Sequence, residues 1–224
     1  MPGSPSAAER WVAAAGDLLL GARCHGCGGA WGGICPDCAA ELAERGPRWT
    51  RPDPCPAGFP RTVASSVYDP LLRALVNAHK ERQALGLTPV LGRRLARCVL
   101  ALLRAEGVVP GAAVALVPVP SAARAVRERG FDATAALART AARRLRPWYR
   151  AAVVPVLVQA AGVRDQSGLD ARARRANLVD DLVTTGSSLT EAARVLGAAG
   201  AFVLGAATVA ATERRGVGGG SAAT

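Results

Sequence analysis

Leu178-Val179-Asp180-Asp181-Leu182-Val183-Thr184-Thr185-Gly186-Ser187-Ser188-Leu189 runs two apolar residues into two carboxylates, then a polar loop with one glycine. A helical pattern follows, with Leu189, Ala192, Ala193 and Leu196 on one face. The pattern predicts strand, loop and helix. Thr184 to Ser188 would offer backbone N–H groups and hydroxyls at a helix N-terminus, where the dipole favours an anion. Gly186 would let the backbone approach a phosphate closely. Asp180 and Asp181 fall at the carboxyl end of the strand, where open α/β sheets bind ligands. Adjacent carboxylates there can accept hydrogen bonds from a sugar diol or help hold Mg²⁺. An acidic strand end before a capped helix is the plainer alternative. The full Asp-Asp-x-x-Thr-Thr-Gly-x-Ser string favours the anion loop.

Working outward, residues 160–177 carry Arg164, Gln166, Arg172, Arg174, Arg175 and Asn177 and read as a polar arm. It leaves only Leu178 and Val179 as clearly strand-like residues before Asp180, so either Arg174 to Val179 joins the sheet or the strand is truncated. Ala201 to Ala211 reads as the last strand, and the Gly-rich tail 213–224 as disordered. Upstream, Val114 to Pro120 reads as a buried strand entering a stiff turn. Ser121 to Gly130 follows as a basic loop with Arg124, Arg127 and Arg129. Arginines grip pyrophosphate in bidentate fashion, and beside an acidic-pair loop that use is favoured over a solvated turn. Phe131 to Leu145 reads as a helix and Val153 to Val158 as a strand. Thr62 to Tyr68 is a further strand. Asp69 caps a helix running to about Gln83, with Leu71, Leu72, Leu75 and Val76 inward and Lys80 near its end. Residues 87–105 form a second apolar helix, with Cys98 in its core face. Strands alternating with helices predict a mainly parallel sheet.

The N-terminal part is different in kind. Residues 1–6 read as disordered and residues 7–20 as an amphipathic helix with Trp11, Val12, Leu18 and Leu19. Cys24-His25-Gly26-Cys27 and Cys35-Pro36-Asp37-Cys38 then form two Cys-x-x-Cys pairs, a zinc signature. A hairpin through Gly28, Gly29, Gly32 and Gly33 would bring the pairs into a tetrahedron. Four thiolates close the site, so such a zinc would be structural. His25 is expected to be exposed. A disulfide is the alternative, weakened by the lack of a secretion signal. Residues 39–45 read as a helical turn. Residues 46–60, with five prolines in the string Pro47 to Pro60, read as a linker or irregular loop holding a free Cys55.

The chain of 224 residues is 50% hydrophobic, enough for a sizeable core. No apolar run nears the ~18 residues of a membrane span, and no signal peptide is apparent, so a cytoplasmic protein is expected. The net charge is +11 and the isoelectric point near 10.8, which favours anionic partners. Of 28 basic residues Lys80 is the only lysine, a bias that discounts part of this charge as a signal.

The 180–188 stretch resembles the ribose-phosphate loop of type I phosphoribosyltransferases. That resemblance implies that Asp180 and Asp181 hold the ribose hydroxyls of phosphoribosyl pyrophosphate (PRPP), and that Thr184, Thr185, Gly186, Ser187 and Ser188 cradle its 5′-phosphate. Ser121, Arg124 and Arg129 would face its pyrophosphate. The purine-salvage branch has an aspartate at the position of Thr184, so a purine-salvage mechanism is disfavoured. Nearly the whole chain resembles the ComF/GntX family, competence protein F-like proteins with a cysteine zinc ribbon and a phosphoribosyltransferase-like domain. The matching pieces are the cysteine pairs, the Lys80 helix, Val117-Pro118-Val119-Pro120, Arg129-Gly130-Phe131, Gln166 with Arg175 and Asn177, and the loop at 179–188. Asp132 and Ala133 depart from the family's Asn-Gln, and Cys55 alone remains of a second cysteine cluster, so one zinc is expected. The implied organisation is an N-terminal helix at 1–20, a zinc ribbon and Pro-rich linker at 21–60, a phosphoribosyltransferase-like α/β domain at 61–212 and a tail at 213–224. The implied roles are transfer of a phosphoribosyl group from Mg-PRPP to a base or related acceptor, or non-catalytic binding of PRPP, nucleotide and single-stranded DNA in DNA uptake, with competence helicase-type partners. Single-strand binders add aromatic stacking platforms; Trp49, Trp148 and Tyr149 are the candidates, and core packing is the favoured use of each.

Overall fold

In a computed structural model of the chain, described over residues 22–158 and 175–212, six strands form one sheet. They are β1 (Arg48–Thr50), β2 (Thr62–Ala64), β3 (Ala113–Pro118), β4 (Arg150–Val153), β5 (Arg175–Val183) and β6 (Phe202–Ala211). Their order across the sheet is β1-β2-β6-β5-β3-β4. Only the β1–β2 pair is antiparallel. The helices are α1 (Pro36–Glu44), α2 (Pro70–Glu81), α3 (Thr88–Ala105), α4 (Ala123–Arg129), α5 (Ala133–Leu145) and α6 (Ser187–Ala198), with a 3₁₀ turn at Leu85–Leu87.

Parallel sheets need both faces covered. One face carries the larger core, where Leu72 and Leu75 of α2, Leu95 and Leu102 of α3 and Leu137 of α5 pack on Leu116 and Val179. Leu189, Ala192 and Leu196 of α6 cover Val117, Leu178 and Ala206 on the other. Asp69 caps α2 by accepting the Leu72 N–H at 2.9 Å, and Asp132 caps α5 by accepting the Ala135 N–H at 3.0 Å. Capping gives Asp132 a local reason to be an acid.

β3 and β5 are neighbours, yet the chain leaves them in opposite directions. From β3 it passes through α4 and α5 to edge strand β4; from β5 it passes through α6 to β6. The helices lie on opposite faces, so a crevice opens between the carboxyl ends of β3 and β5. Pro118 is in register with Val179, and the Val119 N–H donates to Val179 O at 2.9 Å, which sets Val119 to Ser121 beside Asp180.

Several expectations are corrected. Of the two alternatives before Asp180, Arg175 to Val179 join the sheet: β5 is a full strand of nine residues, and the carboxylates lie within it rather than at its end. Arg175 costs little because it is exposed at the strand's amino end, whereas Asn177 is fully buried and donates to Ala115 O. The 46–60 stretch supplies β1, which pairs with β2. The basic segment 121–130 is mostly helical, as α4, rather than a loop. The strand expected at 153–158 sits earlier, at Arg150–Val153, because Arg150 pairs with Ala113 and its N–H donates to Ala112 O; Val156 and Val158 are exposed beyond its end. The helical turn expected at 39–45 begins at Pro36, capped by Cys35. The strand expected at 62–68 is confined to Thr62–Ala64, with one isolated bridge at Val67. The helix expected at 7–20, the tail, and Arg164, Gln166, Arg172 and Arg174 lie outside the described residues. Among the described residues no helix is long and apolar enough to cross a membrane.

Arg94 of α3 is buried at 5% exposure and joins the cysteine segment to the sheet. Its guanidinium donates to Leu42 O, to Arg45 O at 2.8 Å, and to Ser65 O and Oγ at 3.0 Å each. Burial and neighbouring Arg97 lower its pKa to about 10, so it remains charged at neutral pH. Arg94→Met should cost about 2 kcal/mol, since buried carbonyls lose a charge-assisted donor. Urea unfolding that gave the wild-type midpoint would contradict this.

Candidate functional site

Two constellations meet the sequence's candidate residues. At the crevice, Asp180 and Asp181 lie in the carboxyl-terminal half of β5, between β3 and β6. Asp181 faces α2, where Lys80 Nζ approaches its Oδ2 at 2.9 Å. The Asp181 side chain is 6% exposed and that of Lys80 27%. Asp180 Oδ1 accepts the Asp181 N–H at 2.8 Å. Burial and then the Asp181 carboxylate push Asp180 well above the usual carboxylate range. Against desolvation, Asp181 holds the Lys80 ammonium above its ordinary value. One carboxylate is thus matched by a cation, and the second is crowded, which favours a ligand bringing donors or positive charge.

The loop after β5 places Thr184, Thr185, Ser187 and Ser188 in solvent and buries Gly186. Gly186 is the N-cap of α6 and offers no capping side chain. The Ser187 N–H reaches Thr185 Oγ1 only at 3.5 Å, and the two hydroxyls lie 3.0 Å apart. The first turn of a 12-residue helix therefore keeps donors free for an anion.

Gly186 also has a packing role in the free protein. Its φ is +79°, and an added Cβ would lie 2.8 Å from the Phe59 ring and 2.8 Å from Pro52 Cγ. The Pro-rich segment 52–59, a strap across the loop, fills the side of the glycine where a Cβ would stand. Gly186→Ala should therefore destabilise the free protein by about 1–3 kcal/mol, through left-handed strain and displacement of the strap. Thermal unfolding without any ligand reads this. Beside the loop, Asp53 to Pro56 of the strap face Thr184, Thr185, Ser187 and Thr212 across a pocket of about 450 Å³. No local signal announces this contact, since nothing in either segment ties a Pro-rich stretch to a loop so distant in the chain.

The three residues expected at a pyrophosphate separate. Arg129 is 16% exposed by side chain, reaches Glu81 at 3.3 Å and lies close enough to Lys80 to act on its charge. Ser121 Oγ is 3.4 Å from Asp132 Oδ1. Arg124 points into solvent, 85% exposed and paired with Glu128. His79, absent from the sequence candidates, is buried beside this cluster, 2.9 Å from Thr88 Oγ1 and edge-on to Phe131.

The second constellation is the cysteine cluster. The Sγ atoms of Cys24, Cys27, Cys35 and Cys38 all lie within 4.8 Å of one another, so they could hold a metal ion. Cys27 and Cys35 Sγ are 3.7 Å apart, close to the ~3.8 Å edge of a tetrahedron with metal–sulfur bonds of ~2.3 Å. The Gly26 and Cys35 N–H groups donate to Cys24 Sγ at 3.3 Å. Against burial, these donors and the Cys27 N–H bring Cys24 down to about 6. Burial and the neighbouring thiols push Cys38 up, and burial likewise raises Cys35. A divalent cation would reverse both shifts. A Cβ on Gly26 would lie 2.6 Å from Leu71 Cδ1, so this turn packs directly on α2. His25 and the exposed Cys55 stay outside the group.

No family model matches the chain, and no curated protein matches it.

Proposed function

We propose that the chain is a ComF-like, phosphoribosyltransferase-fold protein that binds Mg²⁺–PRPP at the β3–β5 crevice and carries one structural zinc on its four clustered cysteines. The observation that carries the reading is the acidic pair at a topological switch point, followed at once by an uncapped helix N-terminus. The 5′-phosphate would take the free donors of Gly186 to Ser188 and the hydroxyls of Thr184 and Thr185. Asp180 and Asp181 would accept the ribose hydroxyls, and the magnesium that accompanies the substrate would ease their crowding. The pyrophosphate would then point toward Val119 to Ser121 and Arg129. A nucleophile such as a base nitrogen attacks the anomeric carbon, and pyrophosphate departs with the bonding electrons. The protein's part is positioning and stabilising charge on the leaving group.

The competing reading is a binder of PRPP, nucleotide and single-stranded DNA that performs no transfer. An assay of pyrophosphate release from Mg-PRPP with a panel of bases separates the two. Transfer requires release that depends on one acceptor; a binder takes up Mg-PRPP and releases none.

A further inference from the structure

Lys80 is the only lysine among 28 basic residues, and it stands on the acidic pair. It is the more exposed partner of Asp181, so the ion pair reaches solvent through the lysine. Arg129 lies beside it, held by a Glu81 carboxylate that is 61% exposed. The loop at 184–188 leads from the end of β5 into α6, a few residues beyond the pair. For a ligand with one phosphate on that loop and a sugar across the carboxylates, Lys80 and the neighbouring Arg129 are the cations at the acidic pair that could meet a second anionic group.

We propose that Lys80 is the mobile cation of this site: its ammonium neutralises Asp181 in the free protein and transfers to the pyrophosphate of the bound ligand, freeing the carboxylates for the sugar. This rests on the PRPP reading above. A lysine suits the task where an arginine would not. The ammonium is a point charge with rotatable donors on a flexible stem, whereas a guanidinium fork would lock onto Asp181 in bidentate fashion. The exchange also explains how one site could discriminate between PRPP and ribose 5-phosphate. Only the former supplies an anion for the ammonium that the sugar displaces. With ribose 5-phosphate, the displaced ammonium is left without a partner or continues to block Asp181.

The test is titration calorimetry in Mg²⁺ with PRPP, ribose 5-phosphate and inorganic pyrophosphate, on wild type, Lys80→Met and Lys80→Arg. Lys80→Met should weaken PRPP and pyrophosphate about 30-fold, the scale of one charge-assisted hydrogen bond. Ribose 5-phosphate should change by less than about 3-fold, since it makes no such bond. Lys80→Arg keeps the ion pair yet should lose the same preference for PRPP. A purely structural lysine would be rescued by arginine, so wild-type PRPP affinity in Lys80→Arg would overturn the proposal. Should Lys80→Met fail to fold, the wild-type chain supplies an independent readout. Reductive ¹³C-methylation marks Lys80 and the chain's amino terminus alone and keeps the charge. The Lys80 methyl resonance should shift on adding Mg-PRPP and hold still with ribose 5-phosphate; a resonance unmoved by bound PRPP overturns the proposal. Wild-type protein that binds none of the three ligands refutes the parent reading, while PRPP binding indifferent to Lys80 refutes the mobile cation alone.

Discussion

Cys35→Ser is expected to strip the metal and cost the protein on the order of 5 kcal/mol. Isolated zinc-finger peptides owe about 10–16 kcal/mol to their metal. The figure here is smaller because Cys24, Cys35, Cys38 and Leu42 also pack into the main core, so part of their burial survives without the ion. At ~2–4 °C per kcal/mol the melting temperature falls about 10–20 °C. The effect should spread beyond the cysteines. Cys35 caps α1, and α1 positions the Leu42 and Arg45 carbonyls that Arg94 grips from α3. Loss of the metal thus leaves a buried guanidinium short of acceptors, which is costly in itself. Elemental analysis of wild type should find one zinc per chain, and Cys35→Ser none. Cys55→Ser should leave both metal and stability unchanged, since Cys55 is exposed and outside the cluster. Wild-type protein that is folded, free of metal and equally stable would remove the structural-zinc account.

What the sequence made legible was local. The unit at 178–198 carries its own signals: apolar residues, then polar loop, then helical period, with glycine at the one turn position of positive φ. Asp69 announced α2 in the same way, and Cys98 is fully buried in α3 as its neighbours foretold. The boundaries that slipped were set by distant partners. Arg48–Thr50 becomes a strand because Thr62–Ala64 offers an edge, and Arg175 and Asn177 are strand residues because β3 and β6 flank them. Neither fact is written in the segment itself. At the candidate site, the carboxylates and the polar turn before α6 could be named from one string. The Lys80–Asp181 pair, the strap on Gly186 and the Arg94 junction join residues far apart in the chain, so periodicity could not reveal them. One signal was nonetheless present: a solitary lysine in a chain that otherwise uses arginine.

Mg²⁺–PRPP should raise the melting temperature, and the two aspartates should answer differently when it is absent. A ligand that binds the folded state alone at about one hundred times its dissociation constant adds about 2.7 kcal/mol. For a domain of this size that is about 5–10 °C. Asp180→Asn and Asp181→Asn should each abolish most of that rise, because an amide presents one acceptor and a misplaced donor to the sugar and the metal. In the free protein their effects diverge. Asp180 is crowded, with its pKa raised by burial and by Asp181, so neutralising it relieves repulsion and leaves stability unchanged or improved. Its raised pKa has the same sign in pH dependence: the folded state holds the proton more tightly than the unfolded chain, so this group favours folding more at acidic than at neutral pH. Asp181 is the partner of Lys80, and Asp181→Asn strands an ammonium whose side chain is 27% exposed. That should cost about 1–3 kcal/mol, the penalty for a polar group left without its match. Melting curves of both variants with and without millimolar Mg-PRPP give all four values. Equal melting temperatures for the two free variants would mean the Lys80 pair contributes nothing. A wild-type curve unmoved by PRPP would leave the 180–188 loop a structural turn, held by the strap on Gly186 and the register of β5 against β6.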